Sequence, residues 1–114
     1  MAAERIDGKA IARQIEGELK REAERFRAET GRAPGLAVIW VGDNPASAVY
    51  IRNKERAAKR VGIESTTYHL PADTAPQGLM ELVERLNGDP RVDGILIQSP
   101  LPAGFDERAF VEAI

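Results

Sequence analysis

The stretch LAVIWVGDNPASAVYIRNKERAAKRVG, residues 36–62, decides the architecture. Leu36–Val41 is an unbroken apolar run. Alternating residues would leave one strand face in water, whereas a continuous run asks for a strand covered on both faces, as in a parallel sheet. Gly42 and Asp43 then turn the chain. Asn44 suits an N-cap, and Pro45 suits the first helical position, where its missing N–H costs nothing. From about Ala46 to Val61 the pattern is helical, and Gly62 ends it. A strand, a tight turn and a helix in this order form the first part of a parallel crossover.

Working outward toward the N-terminus, Ile11, Ile15, Leu19, Ala23 and Phe26 recur at helical spacing. They predict an amphipathic helix from Gly8 to about Glu29 with this face packed on the core. Gly31 is placed to cap it in the left-handed conformation, and Pro34 blocks any continuation. Toward the C-terminus, Glu64–Leu70 reads as a more polar strand near a sheet edge. Leu79, Leu82, Val83 and Leu86 share one face of a helix over 77–87, closed by Asn87-Gly88-Asp89-Pro90. A third strand over 92–98 leads into the loop Ser99-Pro100-Leu101-Pro102, and a last helix begins near Asp106. The order α-β-α-β-α-β-α predicts a three-layer α/β/α domain with a small parallel sheet, its strands near 36–41, 64–70 and 92–98.

At 114 residues the chain holds one domain with a real core. A net charge of −2 gives no electrostatic reason to expect nucleic acid or an anionic membrane as partner. No apolar run approaches the roughly 18 residues of a membrane span, and MAAERIDGKA lacks the apolar core of a signal peptide. With no cysteine, thiolate catalysis, disulfides and thiolate metal sites are excluded, and a cytoplasmic location is compatible. The only histidine, His69, has no carboxylate cluster in sequence, so no metal site is expected. The helical pattern FDERAFVEAI reaches residue 114 without a cap or breaker, and the expectation is of a longer parent protein.

Chemistry enters with Tyr50 and Lys54, a phenol and an amine four residues apart on one helix face. In open parallel sheets, ligands gather beyond the carboxyl ends of the strands. There the loop after the first strand and the loop after the third would offer Ser47, Tyr50, Lys54, Gln98 and Ser99 to one neighbourhood. Lys54 lies roughly 11–13 Å along its helix from the cap, which suits the wall of a cleft better than its floor. The plain alternatives are a packing role for Tyr50, a solvated Lys54 and a Gln98 that pins its loop. Gln98 is the hardest to dismiss, because an amide ending an apolar strand is partly buried and needs partners. Arg52, Lys59 and Arg60 read as solvated, and His69 as non-catalytic. Neither GxGxxG nor GxxxxGK[ST] occurs, so no nucleotide-phosphate loop is present. The YxxxK spacing of short-chain dehydrogenases is matched only weakly, without their glycine-rich turn.

The string VGDNPASAVYIRNK, residues 41–54, with Ala57-Ala58 and Gly62-Ile63, resembles the amino-terminal domain of the bifunctional methylenetetrahydrofolate dehydrogenase/methenyltetrahydrofolate cyclohydrolase family, FolD. A second signature agrees: LNGD at 86–89, then VDGILIQSPLP at 92–102. The resemblance covers essentially the whole chain. It implies that Lys54 is the catalytic lysine, that Tyr50 packs on the folate and orders that lysine, and that Gln98 binds folate and supports the lysine's protonation state. Ser47, Pro100 and Leu101 would contribute to the folate pocket. It further implies NADP as cofactor, tetrahydrofolate derivatives as substrates and a homodimer in the parent enzyme. Ser99 departs from the pattern, standing where leucine is commoner. The family's Lys-Asp-Val-Asp-Gly segment and its nicotinamide-binding Rossmann domain are not among these 114 residues. A non-catalytic folate-binding or assembly module is the rival expectation. A shikimate-dehydrogenase-type first domain is a weaker one, since its polyol-binding residues are not evident.

Overall fold

The computed structural model describes residues 7–114. Its elements are α1 (Gly8–Thr30), β1 (Gly35–Val41), α2 (Pro45–Val61), β2 (Glu64–Leu70), α3 (Pro76–Asn87), β3 (Gly94–Ile97) and α4 (Glu107–Ala113). The sheet is parallel with order β2-β1-β3, so the fully apolar strand is the central one and the polar β2 is an edge. Ala37, Ile39 and Val41 face a core built with Leu79, Leu82, Val83 and Leu86 of α3 and Phe110 of α4. Val38, fully buried, points to the other face by strand alternation. There α2 buries Ile51, Ala58 and Val61. Two helical layers around one sheet give the expected α/β/α sandwich.

One expectation about α1 fails. The helix forms, capped by the Asp7 carboxylate on the Lys9 and Ala10 N–H groups and ended by Gly31 at φ 80°. Of its apolar face, however, Ala23 is buried and Phe26 half-buried, while Ile11, Ile15 and Leu19 are 47%, 50% and 42% exposed. The helix packs chiefly on α2 rather than on the sheet. Its C-terminal turns lie over the α2 cap, where Ala23 Cβ sits 3.8 Å from the place a side chain on Gly62 would occupy. Midway along α1, Glu16 accepts from Arg60 of α2 at 2.8 Å.

β3 is also shorter than expected, because the residues at its ends do other work. At the amino edge, Arg32 grips both Asp93 oxygens at 2.7 and 2.9 Å, and the Gly35 N–H donates to the same carboxylate at 2.8 Å. The Asp93 N–H returns to Gly35 O at 2.8 Å. At the carboxyl edge the loops meet at Gly42, whose φ of 94° suits glycine. A side chain there would meet Pro102 at 3.8 Å and Ala72 at 3.9 Å. The Gly42 N–H donates to Leu70 O at 2.9 Å, and His69 Nε2–H donates to Gly42 O at 2.6 Å. Stacking of His69 on Trp40, centroids 3.8 Å apart, steadies the ring. His69 thus ties the end of β2 to the turn after β1.

Candidate active site

The site is built from the start of α2. Asn44 Oδ1 accepts from the N–H of Ala46 at 2.9 Å and of Ser47 at 3.2 Å, and Pro45 fills the first helical position. This cap fixes where the helix begins and therefore which residues face the sheet. Ser47, Ile51 and Ala58 turn inward, while Val49 and Tyr50 are 51% and 55% exposed. Lys54 reaches across to the neighbouring strand end, and its Nζ donates to Gln98 Oε1 at 2.6 Å. The two segments that sequence reasoning assigned to one neighbourhood do meet.

Gln98 is 6% exposed. Its backbone N–H continues the ladder to Ile39 O at 2.9 Å, just past the end of β3. Its side-chain Nε2 donates to Ser99 O at 2.9 Å. A carbonyl can only accept, so the amide nitrogen must face Ser99 and the amide oxygen must face Lys54. A glutamine amide could in principle either accept from the lysine or donate to it, and the Ser99 bond leaves only the first. In this arrangement it is an acceptor for the lysine. An unpaired buried amide would cost about 1–3 kcal/mol, and here both ends are paired.

The remaining candidates are placed less uniformly. Tyr50 is not the half-buried packing residue of the plain alternative, because its ring stands outward from α2 beside the Lys54 turn. Ser47 is 1% exposed, and its hydroxyl lies 3.4 Å from Ser99 O, a long contact. Expected as a pocket residue, it instead braces the loop from beneath. Pro100 is exposed and follows a cis peptide from Ser99. Leu101 is half-buried against the α3–α4 core, so it contributes only part of its surface to the edge. Sequence reasoning missed Glu107, whose carboxylate accepts from the Leu101 N–H at 2.7 Å and from Ser99 Oγ at 3.1 Å.

Two other features do not compete with this edge. A cavity of about 280 Å³ opens at the amino edge, between Arg32, Leu36, Glu64, Tyr68 and Arg91. Its arginines are already held by Asp93 and Asp89. Arg32 and the Gly35 N–H hold the Asp93 carboxyl down to about 2, so the displaced ionisation there belongs to a structural lock. Nor do these residues fit a nucleotide pyrophosphate. The cap on α2 already engages the Ala46 and Ser47 N–H groups, and Pro45 has none to offer. No helix among the described residues is long and apolar enough to cross a membrane.

The structure thus defines a parallel α/β domain with a lysine–glutamine pair at the carboxyl edge of its sheet, and comparison with known proteins says which family it resembles. Residues 6–114 match the family model for the tetrahydrofolate dehydrogenase/cyclohydrolase catalytic domain. The chain is 54% identical over 110 residues to the bifunctional protein FolD of Synechococcus sp. WH7803, covering 96% of this chain and 38% of that protein. The solved 5,10-methylenetetrahydrofolate dehydrogenase of the silkworm Bombyx mori superposes with a TM-score of 0.91 at 42% identity, over 99% of this chain and 39% of that one. The Trypanosoma brucei methylenetetrahydrofolate dehydrogenase-cyclohydrolase, solved with NADP cofactor and an inhibitor, gives 0.87 at 35% identity, over 100% and 39%. The chain belongs to the tetrahydrofolate dehydrogenase/cyclohydrolase catalytic-domain family. It spans less than half the length of the relatives it matches.

Proposed function

We propose that this chain supplies the folate-facing, lysine-bearing wall of a one-carbon folate enzyme. The enzyme would oxidise 5,10-methylenetetrahydrofolate to the 5,10-methenyl cation and hydrolyse that cation to 10-formyltetrahydrofolate. The observation that carries the proposal is the Lys54 Nζ–Gln98 Oε1 contact of 2.6 Å at the carboxyl edge, one helical turn from an exposed Tyr50. Support comes from the family to which the chain belongs.

In the hydrolytic half, a water oxygen bonds to the methenyl carbon and loses one proton to give a carbinol. The bond from that carbon to N5 then breaks as N5 gains a proton and the carbinol O–H loses its own to become the formyl carbonyl, so one proton is released overall. The first loss and the gain at N5 suit a single amine held at the reacting carbon, taking the proton as a base and returning it as an acid. Lys54 is assigned that part. Gln98 Oε1 is assigned the task of holding the amine in place, since its own orientation is fixed by Ser99 O. Tyr50 offers an exposed aromatic face on which a pterin ring can stack. Pro100 and Leu101 flank the ring's approach, and Ser47 acts from beneath the loop.

The oxidation needs a hydride acceptor, proposed to be NADP. These residues do not fit its phosphates, so its site is assigned to a Rossmann domain outside this chain, and no step is routed through it here. A cytoplasmic homodimer completes the proposal.

The decisive experiment is Lys54→Met in the full-length gene product. Cyclohydrolase turnover should fall by about 10²–10⁴-fold, the range for losing a positioned acid–base group, with an unchanged circular dichroism spectrum. A folded variant with near wild-type turnover would remove Lys54 from the mechanism.

A further inference from the structure

The loop between Gln98 and α4 contains Pro100, which has no N–H to donate, so fixing this turn falls to side chains. Glu107 supplies the fixing. Its Oε1 accepts from the Leu101 N–H at 2.7 Å and its Oε2 from Ser99 Oγ at 3.1 Å, one contact on each side of Pro100. The carbonyl of Ser99, the residue whose hydroxyl Glu107 holds, accepts from Gln98 Nε2 at 2.9 Å. Gln98 then presents its oxygen to Lys54. We propose that Glu107 is a positioning residue of the candidate site: by clamping the Ser99–Leu101 turn it fixes the Gln98 amide, and through that amide the Lys54 amine.

A carboxylate that served only its own helix would accept from α4's first N–H groups. That task falls to Asp106, whose Oδ1 accepts from Ala109 N. Both Glu107 oxygens instead reach back to residues six and eight positions earlier. The clamp is also mounted on something rigid. Phe110 is 4% exposed in the core against Phe105, and Asn87 Nδ2 donates to Ala113 O at 2.8 Å at the far end of α4. Ser99 gives this chain a hydroxyl for the clamp, so the grip on this side of Pro100 depends on Ser99. A site is precise when its contacting groups are held by a second set of contacts on regular structure.

One arm of the test does not depend on the folate reading, although the role in turnover rests on it. In NMR spectra of the 114-residue chain, Glu107→Ala should speed exchange of the Leu101 N–H by about tenfold or more. It should also move the two Gln98 side-chain N–H resonances toward their free positions, with α3 amides unaffected. Glu107→Gln, whose amide oxygen can still accept from Leu101, should preserve both signals. If the alanine variant disturbs α3 as well, Ser99→Ala removes only the Oε2 contact and should by itself move the Gln98 side-chain resonances, with a smaller lesion; resonances that stay put in that variant would count against the clamp. Gln98 resonances that stay put when the Leu101 N–H is released would overturn the proposal.

In the full-length gene product, Glu107→Ala should lower cyclohydrolase kcat by about tenfold, as misplacing a reacting group does, with little change in KM. In a Gln98→Ala background it should add nothing, because both changes act through one amide. Full multiplication of the two losses would equally overturn it. A harmless Gln98→Ala would count against the folate reading, and the spectra would still decide the clamp.

Discussion

Asp93→Asn isolates the lock that holds the amino edge of the sheet. The wild-type carboxyl sits at about 2 against an ordinary 3.8, chiefly because Arg32 donates to both oxygens and secondarily because the Gly35 N–H donates to one. At about 1.4 kcal/mol per tenfold change in proton affinity, that gap corresponds to roughly 2 kcal/mol before screening. The pair is one-third exposed, 35% for Arg32 and 34% for Asp93. Water therefore screens it, and about 1 kcal/mol is the expected net contribution. Asparagine keeps the shape and one acceptor while removing the charge.

The sign follows from the direction of the shift. A carboxyl held below its unfolded value stabilises fully above about pH 5. It loses that contribution as pH falls through 3.8 toward 2, about half of it by pH 3. Urea melts of both proteins should thus differ by about 1 kcal/mol at pH 7 and by about half as much at pH 3. Molar salt at pH 7 should also shrink the gap, since the pair is reached by solvent ions. A difference that is constant with pH, or that grows in acid, would refute the charge-based account and leave only the geometry of the Gly35 bond.

Other perturbations test the frame and the site separately. Gly35→Ala places a methyl carbon 2.0 Å from Arg91 O. The main chain must move, so a loss of about 3 kcal/mol or failure to fold is expected in thermal melts, and a near-neutral variant would contradict the packing. Leu79→Ala, at a fully buried position facing β1, should cost about 2–5 kcal/mol in urea melts. Asn44→Ala removes the α2 cap and should cost about 1 kcal/mol. Tyr50→Ala, at an exposed position, should change stability by less than about 0.5 kcal/mol while weakening binding of a folate analogue by calorimetry; unchanged binding would remove Tyr50 from the site.

Sequence legibility followed the kind of signal each residue carried. Leu36–Val41 could be read as a strand covered on both faces because such burial leaves no room for alternation, and the caps of α2 could be read because Asn44, Pro45 and Gly62 each meet a local backbone need. The exposed turns of α1 were not readable. Periodicity reports that Ile11, Ile15 and Leu19 share a face, but not that α1 packs chiefly on α2 and leaves them exposed. Gln98 announced that it needed partners without naming them. Glu107 announced nothing, because its contacts run back across a turn whose shape depends on how Pro100 and α4 are placed. Ser47 misled for a related reason: helical spacing puts it near the edge, and only packing reveals that it lies under the loop.

The two ends of β3 show why one polar pair reads as scaffold and the other as a candidate site. Both flanking residues, Asp93 and Gln98, meet a cation from the opposite side of β1's connections, Arg32 before that strand and Lys54 after it. At the amino edge, Arg32 also donates to the Ala33 and Pro90 carbonyls, and both Asp93 oxygens are engaged. Little hydrogen-bonding capacity is left for a ligand. At the carboxyl edge, Gln98 is engaged at both ends and hence immobile, but Lys54 uses one of the three donors an ammonium carries. A fixed acceptor holding an amine with donors to spare, beside an exposed aromatic ring, keeps capacity for a substrate that the amino-edge lock has already used. That residual capacity, rather than burial or cavity volume, is what distinguishes the Lys54 edge.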